Sequence, residues 1–375
     1  MRPFTRRTTT ALGALVTALT VAVPALRAAD LPTPAEGDFI LRDFAFDTGE
    51  RLPELRIHYQ TLGTPHRGAN GRVDNAVLVL HGTGGSGRQF LSPNFAGVLF
   101  GPGQLLDTTR TFVVLPDGIG HGGSSKPSNG LHARFPRYGY GDMIRAQHQL
   151  LTEGLHVDHL RLVMGTSMGG MHTWLWGETY PDFMDALMPL ASLPVQIAGR
   201  NRMMRRTAID SIRNDPEWKG GDYVAQPRGG LTAAVYTLLF MGSSPLQWQK
   251  AAPTRDAADR FFDEQVQARL KTMDANDTLY QFEASRDYDP APALETIRAP
   301  LVAVNSADDE VNPPELGILE REIRRVPRGR AVLLPISPET RGHGTHSWPA
   351  IWQEHLAALL RATEPEPQAS PSPSP

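Results

Sequence analysis

Residues 163–172 read VMGTSMGGMH, and the reading of the whole chain turns on whether Ser167 in this stretch is a nucleophile. Gly165-Thr166-Ser167-Met168-Gly169 fits G-x-S-x-G, a pattern that sets a serine on a sharp turn from strand to helix. Side chains two positions either side of the serine would collide with the neighbouring elements, which accounts for both glycines. The turn lifts the hydroxyl clear of the backbone and aims the positive end of the following helix at it. A turn serine alone also satisfies the pattern. Here HLRLVMG (159–165) reads as a buried strand and SMGGMHTWLWGETYP (167–181) as a helix, so Ser167 is the candidate nucleophile.

Outward from this motif, short apolar runs alternate with helical patterns. AVLVLH (76–81) and TFVVLPDGIG (111–120) both run into glycine-rich loops, and PLVAVNS (300–306) and RAVLLPIS (330–337) follow near the C-terminus. DMIRAQHQLLTEGL (142–155) has helical spacing. Such alternation predicts an α/β fold with a mostly parallel central sheet flanked by helices, its functional loops at the carboxyl ends of the strands. The alternation stops over residues 197–296, where RRTAIDSIRND, LTAAVYTLLF and RDAADRFFDEQVQARLKTMD are helical in period. This stretch is expected to be a helical cap inserted between core segments 38–196 and 297–363.

A serine hydroxyl needs a base, and the base needs an acid to orient it. Following PLVAVNS, the loop ADDEVNP offers three acids, Asp308, Asp309 and Glu310; spacing to Pro313 favours Asp309, with Asp308 next. Beyond the last strand, TRGHGTHSWP offers His343 and His346. Glycines on both sides of His343 let its loop pass close to the serine, and spacing favours it. For the oxyanion, the N–H of Met168 and the N–H of Thr83, in the loop HGTGG, are the candidate donors. HGTGGSG is not followed by the Lys-Ser/Thr of a phosphate-cradling loop. His58, His81, His121 and His343 lack metal-ligand spacing, so no metal and no cofactor is expected.

Composition narrows the field further. A net charge of −3 over 375 residues gives no reason to expect nucleic acid or an anionic membrane as a partner. The absence of cysteine excludes disulfides and thiol catalysis. At the N-terminus Arg2, Arg6 and Arg7 precede the apolar run ALGALVTALTVAV, and small residues follow. That is the layout of a cleaved export signal over residues 1–29, with no stable membrane insertion afterwards and a periplasmic or secreted product. Residues 364–375, Pro/Ser-rich, are expected to be a disordered tail.

Several stretches together resemble the homoserine O-acetyltransferase family of α/β-hydrolases, over about residues 39–360. They include IHYQTLGT (57–64), DGIGHGGSSKPS (117–128), FPRYGYGDMIRAQHQLL (135–151), GTSMGGMHTWLWGETYPD (165–182), RRTAIDSIRNDPEW (205–218), DANDTLYQFEASRDYD (274–289), DEVNPPE (309–315) and GHG (342–344). The resemblance implies the α/β-hydrolase fold, selects Asp309 and His343, and places Arg206 where the family binds the acceptor's carboxylate. It also implies a homodimer through the cap. The sequence departs from the family pattern at Val235 and Gly242, where an arginine and a tyrosine are usual, and in its glycine-rich HGTGG loop. An export signal would also separate the enzyme from cytoplasmic acetyl-CoA. The departures lead to an expected exported serine hydrolase acting on a small-molecule carboxylic ester. The alternative is an O-acyltransferase that moves an acetyl group from acetyl-CoA to a hydroxyl.

Overall fold

A computed structural model describes residues 33–364. The expected export signal, and the tail beyond Glu364, lie outside the described residues. The strands β1 (Ala35–Ala45), β2 (Arg51–Leu62), β3 (Ala76–Leu80), β4 (Phe112–Pro116), β5 (Leu162–Thr166), β6 (Leu187–Leu190), β7 (Leu301–Ser306) and β8 (Gly329–Leu334) form one sheet. Their order is β1-β2-β4-β3-β5-β6-β7-β8. The pairs β1/β2 and β2/β4 are antiparallel and all the others parallel. This is the α/β-hydrolase arrangement of a mostly parallel sheet flanked by helices.

The five central strands β3–β7 are buried along their whole length. Layers cover both faces, so these strands need apolar residues at every position rather than at alternate ones. One face packs α2 (Tyr140–Gln149) and α3 (Met168–Thr179), with Met143, Trp174 and Trp176 in its core. The other packs α1 (Ala96–Leu99) and α10 (Pro349–Ala362), around Phe95, Phe100, Trp352 and Leu356. A short helix α9 (Ile318–Glu322) lies between β7 and β8.

Between β6 and β7 come α4 (Gly199–Arg213), α5 (Arg228–Met241), α6 (Pro245–Ala251), α7 (Arg255–Leu270) and α8 (Ala275–Glu283). They carry small apolar cores of their own. Ile209, Leu231 and Leu279 meet in one, Val235, Leu239 and Val266 in another. The amphipathic periods read in the sequence are therefore satisfied within the cap as well as against the sheet.

Three strands went unread in the sequence. The hairpin β1/β2 is half solvent-facing and laced with Arg, Asp and Glu, so it lacks the continuous apolar run of a central strand. β6 spans only four residues.

The β5-to-α3 turn carries a cost in backbone energy. Ser167 sits at φ 56 and ψ −112, a conformation that L residues seldom adopt. Its N–H donates to Leu190 O at 2.9 Å, which ties the turn to the end of β6. A Cβ at Gly165 would overlap the Gly169 carbonyl, and one at Gly169 would overlap that of Leu80. Because this strain is native-state only, Ser167→Gly is expected to be about 1 kcal/mol more stable than Ser167→Ala, both being inactive. Urea unfolding of the two variants measures the difference; equal midpoints would show that the turn is unstrained.

Candidate active site

Four loops converge at the carboxyl ends of the strands. Ser167 comes from the β5–α3 turn, Asp309 from the loop after β7, His343 from the loop after β8, and residues 81–87 from the loop after β3. The Ser167 hydroxyl lies 2.8 Å from His343 Nε2, so it donates to that nitrogen when the ring proton is on Nδ1. Nδ1–H in turn donates to Asp309 Oδ2, also at 2.8 Å. Asp309 is fully buried, and its Oδ1 accepts from the Val311 N–H at 2.8 Å. Its Oδ2 also accepts from the Asn312 amide, which itself is anchored on Ala191 O. Burial alone would raise the Asp309 pKa. The His343 charge and hydrogen bond, with the Asn312 and Val311 donors, outweigh it and hold the carboxyl below its ordinary range. A permanently ionised carboxylate behind Nδ1 fixes the tautomer that leaves Nε2 free to accept a proton.

The two competing residues lie nearby in other roles. Asp308 Oδ2 accepts from the Gly342 N–H at 2.9 Å and Oδ1 from the Ser306 hydroxyl, so it pins the loop that carries His343. His346 stacks edge-on against His343, with ring centroids 5.3 Å apart. Burial, reinforced by the neighbouring His343, pushes its pKa down to about 3, and it stays neutral in the working range. Gly342 sits at φ +58 with no room for a side chain, since a Cβ would overlap the Ser243 carbonyl of the α5–α6 loop. From α6, Gln247 donates to the carbonyls of Pro338 (2.8 Å) and Thr340 (2.9 Å) on the same loop.

The loop after β3 runs against the nucleophile; a Cβ at Gly82 would lie 3.4 Å from that of Ser167. His81 holds it in place. Its Nε2 accepts from the Gly118 N–H at 2.9 Å, which leaves Nδ1–H to donate to Gly82 O at 2.8 Å. Asp117 joins this loop to the next, accepting from Gly87 N–H and Gly123 N–H at 2.7 Å each. The N–H groups of Thr83 and Met168 take no part in the hydrogen bonds of the described residues. Met168 directly follows Ser167, and Thr83 lines the same cavity as that serine, so both N–H groups are candidates for an oxyanion site. Among the described residues no cluster of His, Cys, Asp and Glu suits a metal.

A cavity of about 840 Å³ opens over these groups, walled by Ser167, His343, Thr83, Gln281, Phe282 and Arg205. Arg206 is not in it. Adjacent positions on a helix diverge by about 100°, and on α4 Arg206 faces outward, exposed and paired with Asp210 at 2.6 Å. The arginine that the structure brings to the cavity is instead Arg205, which points inward and is 2 % exposed.

The profile of a family described as alpha/beta hydrolase fold matches residues 75–332. A probable acyltransferase of Methanothermobacter thermautotrophicus is 30% identical over 296 residues, 79% of this chain and 89% of that protein. A homoserine O-acetyltransferase of Pelobacter propionicus is 32% identical over 303 residues, 72% of this chain and 80% of its own. The chain is an α/β-hydrolase of the homoserine O-acetyltransferase-like family. Solved α/β-hydrolase structures share its fold. Homoserine O-acetyltransferase from Bacillus anthracis superimposes with a TM-score of 0.76 at 21% identity, covering 88% of this chain and 98% of the other. The acetyl esterase MekB does so at 0.74 and 24%, covering 87% and 97%.

The two positions at which this α/β-hydrolase departs from its family's pattern have different surroundings. Val235 is buried in the cap core, away from the cavity, whereas Gly242 lines the cavity. The sequence offered no signal for Tyr140, whose buried hydroxyl lies beside Thr83 and Arg205.

Two measurements probe this site. Asp309→Asn is expected to lower kcat about 10⁴-fold without unfolding the protein, because an amide stabilises the wrong tautomer of His343. Steady-state kinetics with an activated ester checks it, and a loss below tenfold would remove Asp309 as the orienting acid. Acid stability is the second. Burial holds both His172 and His346 down to about 3, so each is neutral when folded and protonates below about 6.5 when unfolded. Their stability contribution is complete above pH 6.5 and falls as the pH drops toward 3, by roughly 1 kcal/mol per pH unit for each. Urea midpoints from pH 7 to 4 should fall with this slope, and His172→Asn should flatten it; an unchanged slope would refute the assignment.

Proposed function

We propose that the protein is an O-acyltransferase whose acceptor carries a hydroxyl and a carboxylate, as homoserine does. The observation that carries this reading is Arg205. Its guanidinium is buried at the cavity wall, yet its partners are neutral: Nε donates to Asn201 Oδ1 at 2.9 Å and Nη1 to Ser285 Oγ at 3.2 Å. No acidic side chain pairs with it among the described residues. Burial lowers its pKa, only partly opposed by the nearby Tyr140 hydroxyl. A desolvated charge without a counter-ion is costly, and a substrate carboxylate would complete it. The relatives described as acyltransferases support the same reading.

In the first half-reaction Ser167 Oγ attacks the donor's carbonyl carbon while His343 Nε2 takes its proton. The Thr83 and Met168 N–H groups stabilise the oxyanion. The imidazolium, held by Asp309, protonates the departing group and an acyl-serine remains. In the second half-reaction the acceptor's hydroxyl, steered by its carboxylate toward Arg205, gives its proton to Nε2 and attacks the acyl carbon. Ser167 then leaves with the proton from His343. Water can replace the acceptor without any change in the machinery, and an open cavity of this volume supports ester hydrolysis as the second reading. An exported enzyme would meet esters rather than acetyl-CoA, so both donor classes belong in the assay.

The test is a partition experiment. Protein is given p-nitrophenyl acetate or acetyl-CoA, with and without homoserine, and free acetate and O-acetylhomoserine are measured. The expected result is acetyl transfer exceeding hydrolysis at millimolar homoserine, with Arg205→Lys reducing that ratio at least tenfold. Acetate as the sole product with both donors would replace the transferase with the esterase.

A further inference from the structure

Arg205 does not present its whole fork to the cavity. Nε and one proton of Nη1 are committed to Asn201 and Ser285, and the face of Phe282 lies 5.4 Å from the guanidinium carbon. Nη2 has no hydrogen-bond partner among the described residues. A carboxylate has two oxygens and about four acceptor sites, so one partly used guanidinium would leave it under-satisfied.

Two further donors stand beside it. Tyr140, the first residue of α2, is fully buried, with its ring edge-on to His172 at 4.7 Å. Its hydroxyl adjoins both the Arg205 guanidinium and the Thr83 hydroxyl. Neither the Tyr140 hydroxyl nor Thr83 Oγ1 has a hydrogen-bond partner, although both are buried. Leaving a buried hydroxyl unsatisfied is costly, and here two stand near an unpaired cation. Backbone contacts fix Tyr140 where it is. Its N–H and that of Gly141 donate to Asp287 at 3.0 and 3.1 Å, and the Gly139 N–H donates to Asp142 at 3.0 Å. The hydroxyl is thus held by rigid structure behind the cavity wall that Thr83 and Arg205 form, without a hydrogen-bond partner of its own.

We propose that Tyr140 is a specificity-determining residue: with the Thr83 hydroxyl it completes, around Arg205, a three-donor seat for a substrate carboxylate. The proposal rests on the reading of Arg205 given above and extends it. Arg205 carries the charge and can only donate, so the seat favours an anion over a neutral carboxamide, which offers one acceptor oxygen and no counter-charge. Burial raises the Tyr140 phenol above its ordinary pKa, against the opposing pull of Arg205 and Thr83, and it remains a donor throughout the working range. The loop that supplies the oxyanion N–H at Thr83 also supplies one prong of the seat, so an occupied seat fixes the loop as the acyl group is transferred.

Butyrate serves as the probe, because it carries the carboxylate without a reacting hydroxyl and so reports on the seat even if water is the acceptor. Its competitive Ki is measured against p-nitrophenyl acetate for the wild type, Arg205→Lys, Tyr140→Phe and Thr83→Ser, with butyramide in parallel. Binding to each variant is measured independently as the butyrate-induced rise in Tm in a Ser167→Ala background. The expected results are inhibition by butyrate and not by butyramide, and a Ki raised about tenfold or more by Tyr140→Phe. Thr83→Ser, which keeps the hydroxyl, should retain most of the affinity. A Ki within twofold of wild type in Tyr140→Phe, with Arg205→Lys weakened, overturns the role of Tyr140 and spares that of Arg205. Equal inhibition by butyrate and butyramide, or none by butyrate, overturns the Arg205 reading and the seat together. Should Tyr140→Phe slow ester turnover and leave Ki and the Tm shift unmoved, Tyr140 supports the oxyanion loop instead, and the proposal falls.

Discussion

The positive φ of Ser167 is the constraint from which the rest of the molecule is organised. A serine held there needs residues without side chains two positions to either side, a strand before it and a helix after it. Gly165, Gly169, β5 and α3 meet those demands. β5 lies at the centre of the sheet between β3 and β6, and the Ser167 N–H is bonded to the end of β6. Strain of this kind persists only where the surroundings over-determine it. Two apolar layers and a fully buried parallel sheet provide that rigidity, and the loops after β3, β7 and β8 need only reach the same edge.

The chemistry divides into a permanent half and a selective half. The sheet supplies the permanent half: Asp309 buried and ionised, His343 in one tautomer, and two unpaired N–H groups beside the serine. None of these groups distinguishes water from an alcohol. On the cap side a buried guanidinium without a counter-charge lines the same cavity as Ser167, and the proposed selection of the acceptor rests on it. The same fold accordingly occurs in a solved acetyl esterase and in a solved homoserine O-acetyltransferase.

Legibility in the sequence followed the same division. Residues set by local backbone rules could be read from motifs: Ser167 from its glycines, His343 from Gly342 and Gly344, Asp309 from its distance to Pro313. Central strands were readable because burial on both faces leaves an unbroken apolar run. The hairpin β1/β2 was not, since its exposed face breaks that run with charges, and β6 was too short to register. Arg205 and Arg206 show the limit most sharply. They are neighbours of one chemistry on one helix, and motif matching selects between them by spacing alone. Which one faces the cavity depends on how α4 is rolled against α5 and α8, a long-range packing outcome with no local signature. Tyr140 was hidden for a related reason, since its role depends on Thr83 and Arg205, 57 and 65 positions away in the chain.

The loop bearing His343 is gripped from two sides. Asp308 holds the Gly342 N–H from the sheet, while the Ser243 carbonyl closes over the same glycine from the cap and Gln247 ties α6 to Pro338 and Thr340. The loop of the proposed base is thus held by the sheet domain and by the cap. The distance between His343 Nε2 and the Ser167 hydroxyl is therefore set by cap contacts as well as by the sheet. Substitutions at the α5–α6 junction, far from Ser167 in the chain, are thereby felt at the imidazole.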